Sequence, residues 1–171
     1  IQFNGANTWT LSSSSSKTLI FRADTGGVSV CSVPFGSHTI SAAVTASNDV
    51  FKIGAGTLVL SGNNTFAGNT IINSGILQLS DVGALGAAGT KVYLEGGTLK
   101  LAADSAVNSE NLNASGVSTV LIDRATSGAG ITTAFGTYMS TNGATVIFIN
   151  GPNVTSGTNY LNFSGRADFY N

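Results

Sequence analysis

Between residues 51 and 101 apolar and polar positions alternate in short runs, and the runs recur. The stretch from Phe51 to Leu60 (FKIGAGTLVL) aligns with Thr70 to Leu79 (TIINSGILQL) and with Val92 to Leu101 (VYLEGGTLKL). The shared glycines are Gly56, Gly75 and Gly97, giving steps of 19 and 22 residues. In each copy two leucines stand at alternate positions: Leu58/Leu60, Leu77/Leu79 and Leu99/Leu101. Alternation puts them on one face of a strand, with Val59, Gln78 and Lys100 pointing away. Before the turn, Phe51/Ile53, Thr70/Ile72 and Val92/Leu94 are expected to continue the inward face. That assignment sets Lys52, Ile71 and Tyr93 outward. Glycine at the turn tolerates the positive φ of a tight corner.

A strand, a corner and a second strand cannot bury an apolar side alone. Stacked copies can, because each rung pairs with its neighbours and the leucines form continuous columns. A propeller blade needs about 40–50 residues, and a leucine-rich repeat needs helical stretches that are absent here. The expectation is therefore an all-β chain folded as a right-handed parallel β-helix, one solenoid domain over residues 1–171. Strand-like runs continue outside the repeat at 18–21, 28–30, 39–40, 43–44, 119–122, 145–149 and 160–163. Loops rich in Gly, Asn and Pro fall between them, as at Gly62-Asn63-Asn64 and Gly151-Pro152-Asn153. At about 20 residues per coil the chain makes roughly eight rungs, a rod about 40 Å long.

Composition supports this reading and removes several functions. Charged residues are 9% of the chain, whereas ordinary soluble domains carry about 25%. Gly, Ser, Thr and Asn stand in their place, which disfavours helices. The net charge is −1 and the seven Lys and Arg are scattered. No basic footprint for nucleic acid or an anionic membrane is present. Nor does any apolar run approach the roughly 20 residues that span a bilayer. Cys31 is the single cysteine, so no internal disulfide framework forms; it reads as a small apolar strand residue. The chain opens on Ile1 without Met, so a matured chain or a piece of a longer one is expected.

Residues 52–101, which begin KIGAGTLVLSGNNTFAGNT and run on through GILQL, carry a resemblance to the autotransporter-associated β-strand repeat, also called the passenger-associated transport repeat. Gly83-Ala84-Leu85-Gly86 and Leu94-Glu95-Gly96-Gly97-Thr98-Leu99 resemble the segment that often follows it, and His38-Thr39-Ile40-Ser41-Ala42 its run-up. The resemblance implies a right-handed β-helix in a secreted or surface protein of a Gram-negative-type bacterium, with no catalytic residue attached. The C-terminus shows no barrel of alternating strands. A cleaved passenger piece, or a stand-alone relative exported by another route, is the resulting expectation.

Candidate chemistry is sparse. Asp81, Asp104 and Asp123 each follow a glycine by six or seven residues and would stack at one corner, where polysaccharide lyases and hydrolases on β-helices place acids or calcium. The competing reading is that Asp ends strands and starts turns, with Arg124 compensating Asp123. His38 has no identifiable nucleophile partner among serines such as Ser12 to Ser16 and reads as structural or surface. Asn63, Asn64, Asn69 and Asn73 suggest a side-chain ladder between rungs. Four glycosylation sequons, beginning at Asn63, Asn113, Asn153 and Asn162, read as accidental in a bacterial chain. The outward Tyr93 and Ile71, beside Lys52, offer a face for a sugar. No catalytic, cofactor-binding or metal-binding residue is assigned.

Three functions follow from this pattern. One is an extracellular structural or display module that continues a larger passenger or associates with itself through its open ends, Ile1-Gln2-Phe3 and Ala167-Asp168-Phe169-Tyr170. Another is an adhesin for a glycan or surface receptor. The third, a glycan-active enzyme, requires the three aspartates to converge; the expectation is that the chain is not an enzyme.

Overall fold

The computed structural model describes residues 1–5, 7–13, 17–22, 27–81, 83–85, 89–104, 106–107, 110–141 and 143–169. Its strands in chain order are β1 Thr10–Leu11, β2 Thr18–Phe21, β3 Val28–Ser32, β4 Ser37–Ile40, β5 Ala43–Ala46, β6 Asp49–Ile53, β7 Thr57–Leu60, β8 Thr65–Phe66, β9 Thr70–Ile72, β10 Ile76–Leu79 and β11 Lys91–Leu94. They continue as β12 Thr98–Ala102, β13 Ala106–Val107, β14 Asn111–Ala114, β15 Val117–Asp123, β16 Gly128–Ala129, β17 Thr132–Phe135, β18 Tyr138–Ser140, β19 Thr145–Asn150, β20 Val154–Ser156, β21 Tyr160–Phe163 and β22 Ala167–Asp168.

Two seven-stranded sheets form the main walls. One runs β1-β4-β7-β10-β12-β15-β19 and the other β3-β6-β9-β11-β14-β18-β22. Shorter sheets, β2-β5-β8, β13-β17-β21 and β16-β20, make the remaining side. The paired strands run parallel, each with a strand of the next coil. This is the parallel β-solenoid that the repeat demanded. Helix is absent among the described residues.

The leucine columns fall as the alternation requires. Leu58, Leu77, Leu99 and Val120 are in register, as are Leu60, Leu79, Leu101 and Ile122, and all eight are buried. Facing them from the second sheet are Val50, Val92 and Leu112, with Ile72 and Leu94 one step along. Burying a side chain of this size stabilises by about 1.5–3 kcal/mol. The columns therefore hold the coils together.

The coil count is corrected. Seven stacked strands per wall replace the roughly eight rungs expected, so six steps of about 4.8 Å give a rod near 29 Å. Coil length explains the difference. Contacts between central coils join residues 20 or 22 apart, as from Val44 to Asn64 and from Lys91 to Asn69. Those in the outer coils join residues 28 to 30 apart, as from Trp9 to His38, Ile131 to Asn159 and Asn153 to Asp123. Longer outer coils leave fewer of them.

The phase of the first copy is corrected too. Lys52 pairs with Ile72 and faces inward, while Phe51 pairs with Ile71 and faces outward. After the corner Leu58 pairs with Leu77, so the step along the chain from a residue to its partner is one shorter there than before the corner. The corner at 53–56 therefore holds one residue more than the corner above it, and that residue inverts the strand before it. Gly75 closes the next corner at φ +68°, where a Cβ would stand 2.3 Å from the Gly54 carbonyl oxygen. Only glycine fits there.

Candidate functional site

The three aspartates share a region of the solenoid but not a column. Leu79, Leu101 and Ile122 are in register. Asp81 follows its register residue by two positions, Asp104 by three and Asp123 by one. Each is committed to structure. Asp104 accepts hydrogen bonds from Thr126 N (3.2 Å) and Thr126 Oγ1 (2.7 Å), and pairs with Arg124 at 3.3 Å. The Thr126 hydroxyl, ahead of its amide and of Arg124, holds the Asp104 carboxyl below its usual range. Asp123 is fully buried, accepts from Asn153 N at 2.9 Å and pairs with Lys100 at 3.2 Å. Burial works to raise its carboxyl, but the amides of Arg124 and Asn153, with Lys100, outweigh burial and hold it below the usual range. Asp81 accepts from Gly83 N within its own turn at 2.9 Å. The compensation expected between Arg124 and Asp123 is replaced by Arg124–Asp104 and Lys100–Asp123. Among the described residues, no group of three or more His, Cys, Asp or Glu side chains could hold a metal ion.

Asp104 and Asp123 belong to a wider pattern of Asx side chains that brace one coil to the next. Asp49 accepts from Asn69 N (2.7 Å), Asn69 from Lys91 N (3.1 Å) and Asn111 from Thr137 N (2.8 Å). A corner takes the backbone amide out of the sheet ladder, and a short carboxylate or amide restores its partner. Asn64 does this inside the lumen. Its Oδ1 accepts from Val44 N at 2.8 Å and its Nδ2 donates to Ala84 O at 2.7 Å, so it joins three coils. Asn64 and Asn69 thus bridge coils, through other residues rather than through an asparagine ladder. Asn63 and Asn73 are exposed.

His38 is in register with Leu58 at the head of a leucine column and is fully buried. Its ring stacks on Phe3 at 4.9 Å, and Nδ1 accepts from Trp9 N at 3.1 Å. That is a core position. Ser14, Ser15 and Ser16, named with Ser12 and Ser13 as possible nucleophiles, lie outside the described residues, as do Gly86 and Tyr170. Cys31 is buried beside Lys52, in register with it, and burial raises its thiol to about 11. A thiol held protonated there is a poor nucleophile.

Lys52 overturns its expected surface position. It is 1% exposed, and Nζ donates to the carbonyls of Ile53 (3.1 Å), Gly54 (2.7 Å) and Ser74 (3.0 Å). Burial lowers its ammonium to about 8. The extra corner residue turns a lysine inward and also turns carbonyls toward it. No signal in the alternation reveals this.

The outer face of the second wall carries an ordered row of side chains. Val30, Phe51, Ile71, Tyr93, Asn113, Met139 and Asp168 are in register across seven strands. Ile71, expected to be exposed beside Tyr93, is only 4% exposed between Phe51 and Tyr93. Beyond Tyr93 the row opens into a groove of about 210 Å³. Lys91 and Asn111 form one side, Thr137 and Arg166 continue it, and Asn113, Met139 and Asp168 form the floor and far side. Four strands distant in sequence build this groove, which sequence reasoning missed.

The two ends differ. Residues 1–3 pair with β3, through Ile1 O with Ser32 N (2.9 Å) and Phe3 N with Ser32 O (3.0 Å). Phe3 is buried there. At the other end Phe148, which follows Val120 in a core column, is 42% exposed, and Phe169 is 71% exposed. β19 pairs on one side only.

Parallel coils stacked around an apolar lumen and turned at glycine corners define the class: a parallel β-solenoid. Within it, residues 50–79 match the passenger-associated-transport-repeat family. The chain is also similar to the adhesin BmaC autotransporter of Brucella suis biovar 1 (strain 1330), at 36% identity over 99 residues. The match covers 54% of this chain and 3% of that protein, so the chain spans a small fraction of the relative's length. No solved structure matches the chain.

Proposed function

We propose that the chain is a display segment of a secreted or cell-surface bacterial passenger, serving adhesion rather than catalysis. The observation that carries this reading is the position of the passenger-repeat match. Residues 50–79 form the middle of an uninterrupted stack of parallel coils, with further coils on both sides. A solenoid whose coils contact only their neighbours extends without limit and holds its outer face at a fixed spacing. The relative's being an autotransporter adhesin supports the adhesive role. The hydrogen bonds and ion pairs of Asp104 and Asp123 support a non-enzymatic reading, since both carboxylates are spent on bracing coils. The test is surface labelling. Antibodies against the chain should bind intact source cells or their medium, and the purified chain should compete with cell adherence. Labelling that appears only after permeabilisation would refute the reading.

A second reading, self-association, is favoured by the exposed core column at Phe148 and the one-sided pairing of β19. Contact of that end with the opposite end of another copy would be heterologous and open-ended. Light scattering across a concentration series tests it: a monomer at high concentration removes this reading.

A further inference from the structure

The geometry points to the groove on the outer face of the second wall as a binding site for an acidic sugar residue, a pyranose ring carrying a carboxylate. This deepens the adhesive reading and rests on it. The central observation is Asn113. Its side chain lies in an outward row whose other members from Val30 to Met139 are apolar or aromatic, and it lines the groove at 7% exposure. Its carboxamide makes no hydrogen bond to any described residue. Its stem is covered while its amide opens on the groove, where a ligand's hydroxyls can take the place of water. An amide kept there is suited to a ligand's hydroxyls, since it offers both donor and acceptor.

The surrounding groups specify the ligand. Asn111 Oδ1 is taken by Thr137 N at 2.8 Å, which fixes the amide and leaves Nδ2 facing no described partner. Thr137 adds a hydroxyl. Two cations line the groove, and they differ: Arg166 is paired with Asp168, while Lys91 has no ion-pair partner among the described residues. One free ammonium beside two amides and a hydroxyl matches one carboxylate on a polyhydroxylated ring. It is too little charge for a nucleic acid or a lipid surface, which require clusters. Met139 gives the groove an apolar patch for a ring face, and Tyr93, in register with Asn113, stands one strand back. At about 210 Å³ the groove is below the roughly 300–1,000 Å³ of pockets that enclose a drug-sized ligand, so it fits a single ring of a longer chain.

The experiment is titration of the 15N-labelled chain with sodium D-glucuronate and N-acetylneuraminate, with D-glucose and sodium acetate as comparisons. Saturable amide shifts confined to Lys91, Asn111, Asn113 and Met139 are expected with at least one acidic sugar, well below the concentrations at which glucose or acetate act. Lys91→Gln, at an exposed position, should weaken binding roughly tenfold, and Asn113→Val by tenfold or more. Lys91→Gln keeps the test valid if Asn113→Val disturbs the fold. Absence of saturation, equal shifts with acetate or glucose, or Lys91→Gln binding as the parent does would each overturn the site. Surface labelling would be unaffected by such a failure, so the two readings fail separately.

Discussion

The inward Lys52 makes a prediction with a particular shape. Its ammonium titrates at about 8 in the folded chain, because burial disfavours the charge, and near the ordinary 10.5 when unfolded. Between those values the unfolded chain binds more protons, so stability rises with pH. Each pH unit adds about 1.4 kcal/mol, so Lys52 alone contributes about 3 kcal/mol by pH 10.5. Cys31 opposes it. Burial raises its thiol from 9.0 to about 11, so over that range the folded chain binds more protons and stability falls with the same slope. The sum is a rise of about 1.4 kcal/mol from pH 8 to 9, a plateau to about 10.5, and then a fall. Urea unfolding followed by circular dichroism at half-unit pH steps measures this profile. Cys31→Ala should convert the plateau into a continued rise, and Lys52→Met should abolish the rise between 8 and 9. A parent profile that is flat or falling from 8 to 9, or one that Lys52→Met leaves unchanged, would refute the buried-cation argument.

Three further outcomes are expected. Leu77→Ala removes a fully buried side chain between Leu58 and Leu99 and should cost about 2–5 kcal/mol in chemical denaturation. Asn64→Leu leaves Val44 N and Ala84 O unpaired in the lumen and should cost about 2–5 kcal/mol, measured in the same way. Asp104 and Asp123 titrate below the usual carboxylate value, so their stabilisation is complete above roughly pH 4 and is lost as pH falls through their folded values. The Asp104→Asn/Asp123→Asn double variant should therefore lose less stability between pH 5 and 2 than the parent; an equally steep acid loss would contradict the ion-pair assignment.

The repeat from Phe51 to Leu101 determined the architecture. A strand, a glycine corner and a strand with alternating leucines, recurring at nearly constant spacing, has one way to bury its apolar side, and that is to stack in parallel. The leucine columns, the glycine corners and the absence of helix among the described residues all follow from it. Alternation, however, specifies faces only within one strand. Which face is inward depends on how many residues the adjoining corner holds, and that number is set when coils stack and their columns come into register. One extra residue between Ile53 and Gly56 was enough to bury Lys52 and turn Phe51 outward. Partners across coils were equally hidden. Asp104 meets Arg124 and Asp123 meets Lys100 because Gly116 stands two residues before the position level with Gly97, so equal distances from a glycine do not end at equal positions. The groove is the furthest from the sequence. Lys91, Asn113, Thr137 and Arg166 come from four successive coils, and only the stacking of their strands, about 4.8 Å apart, places those side chains around one cavity.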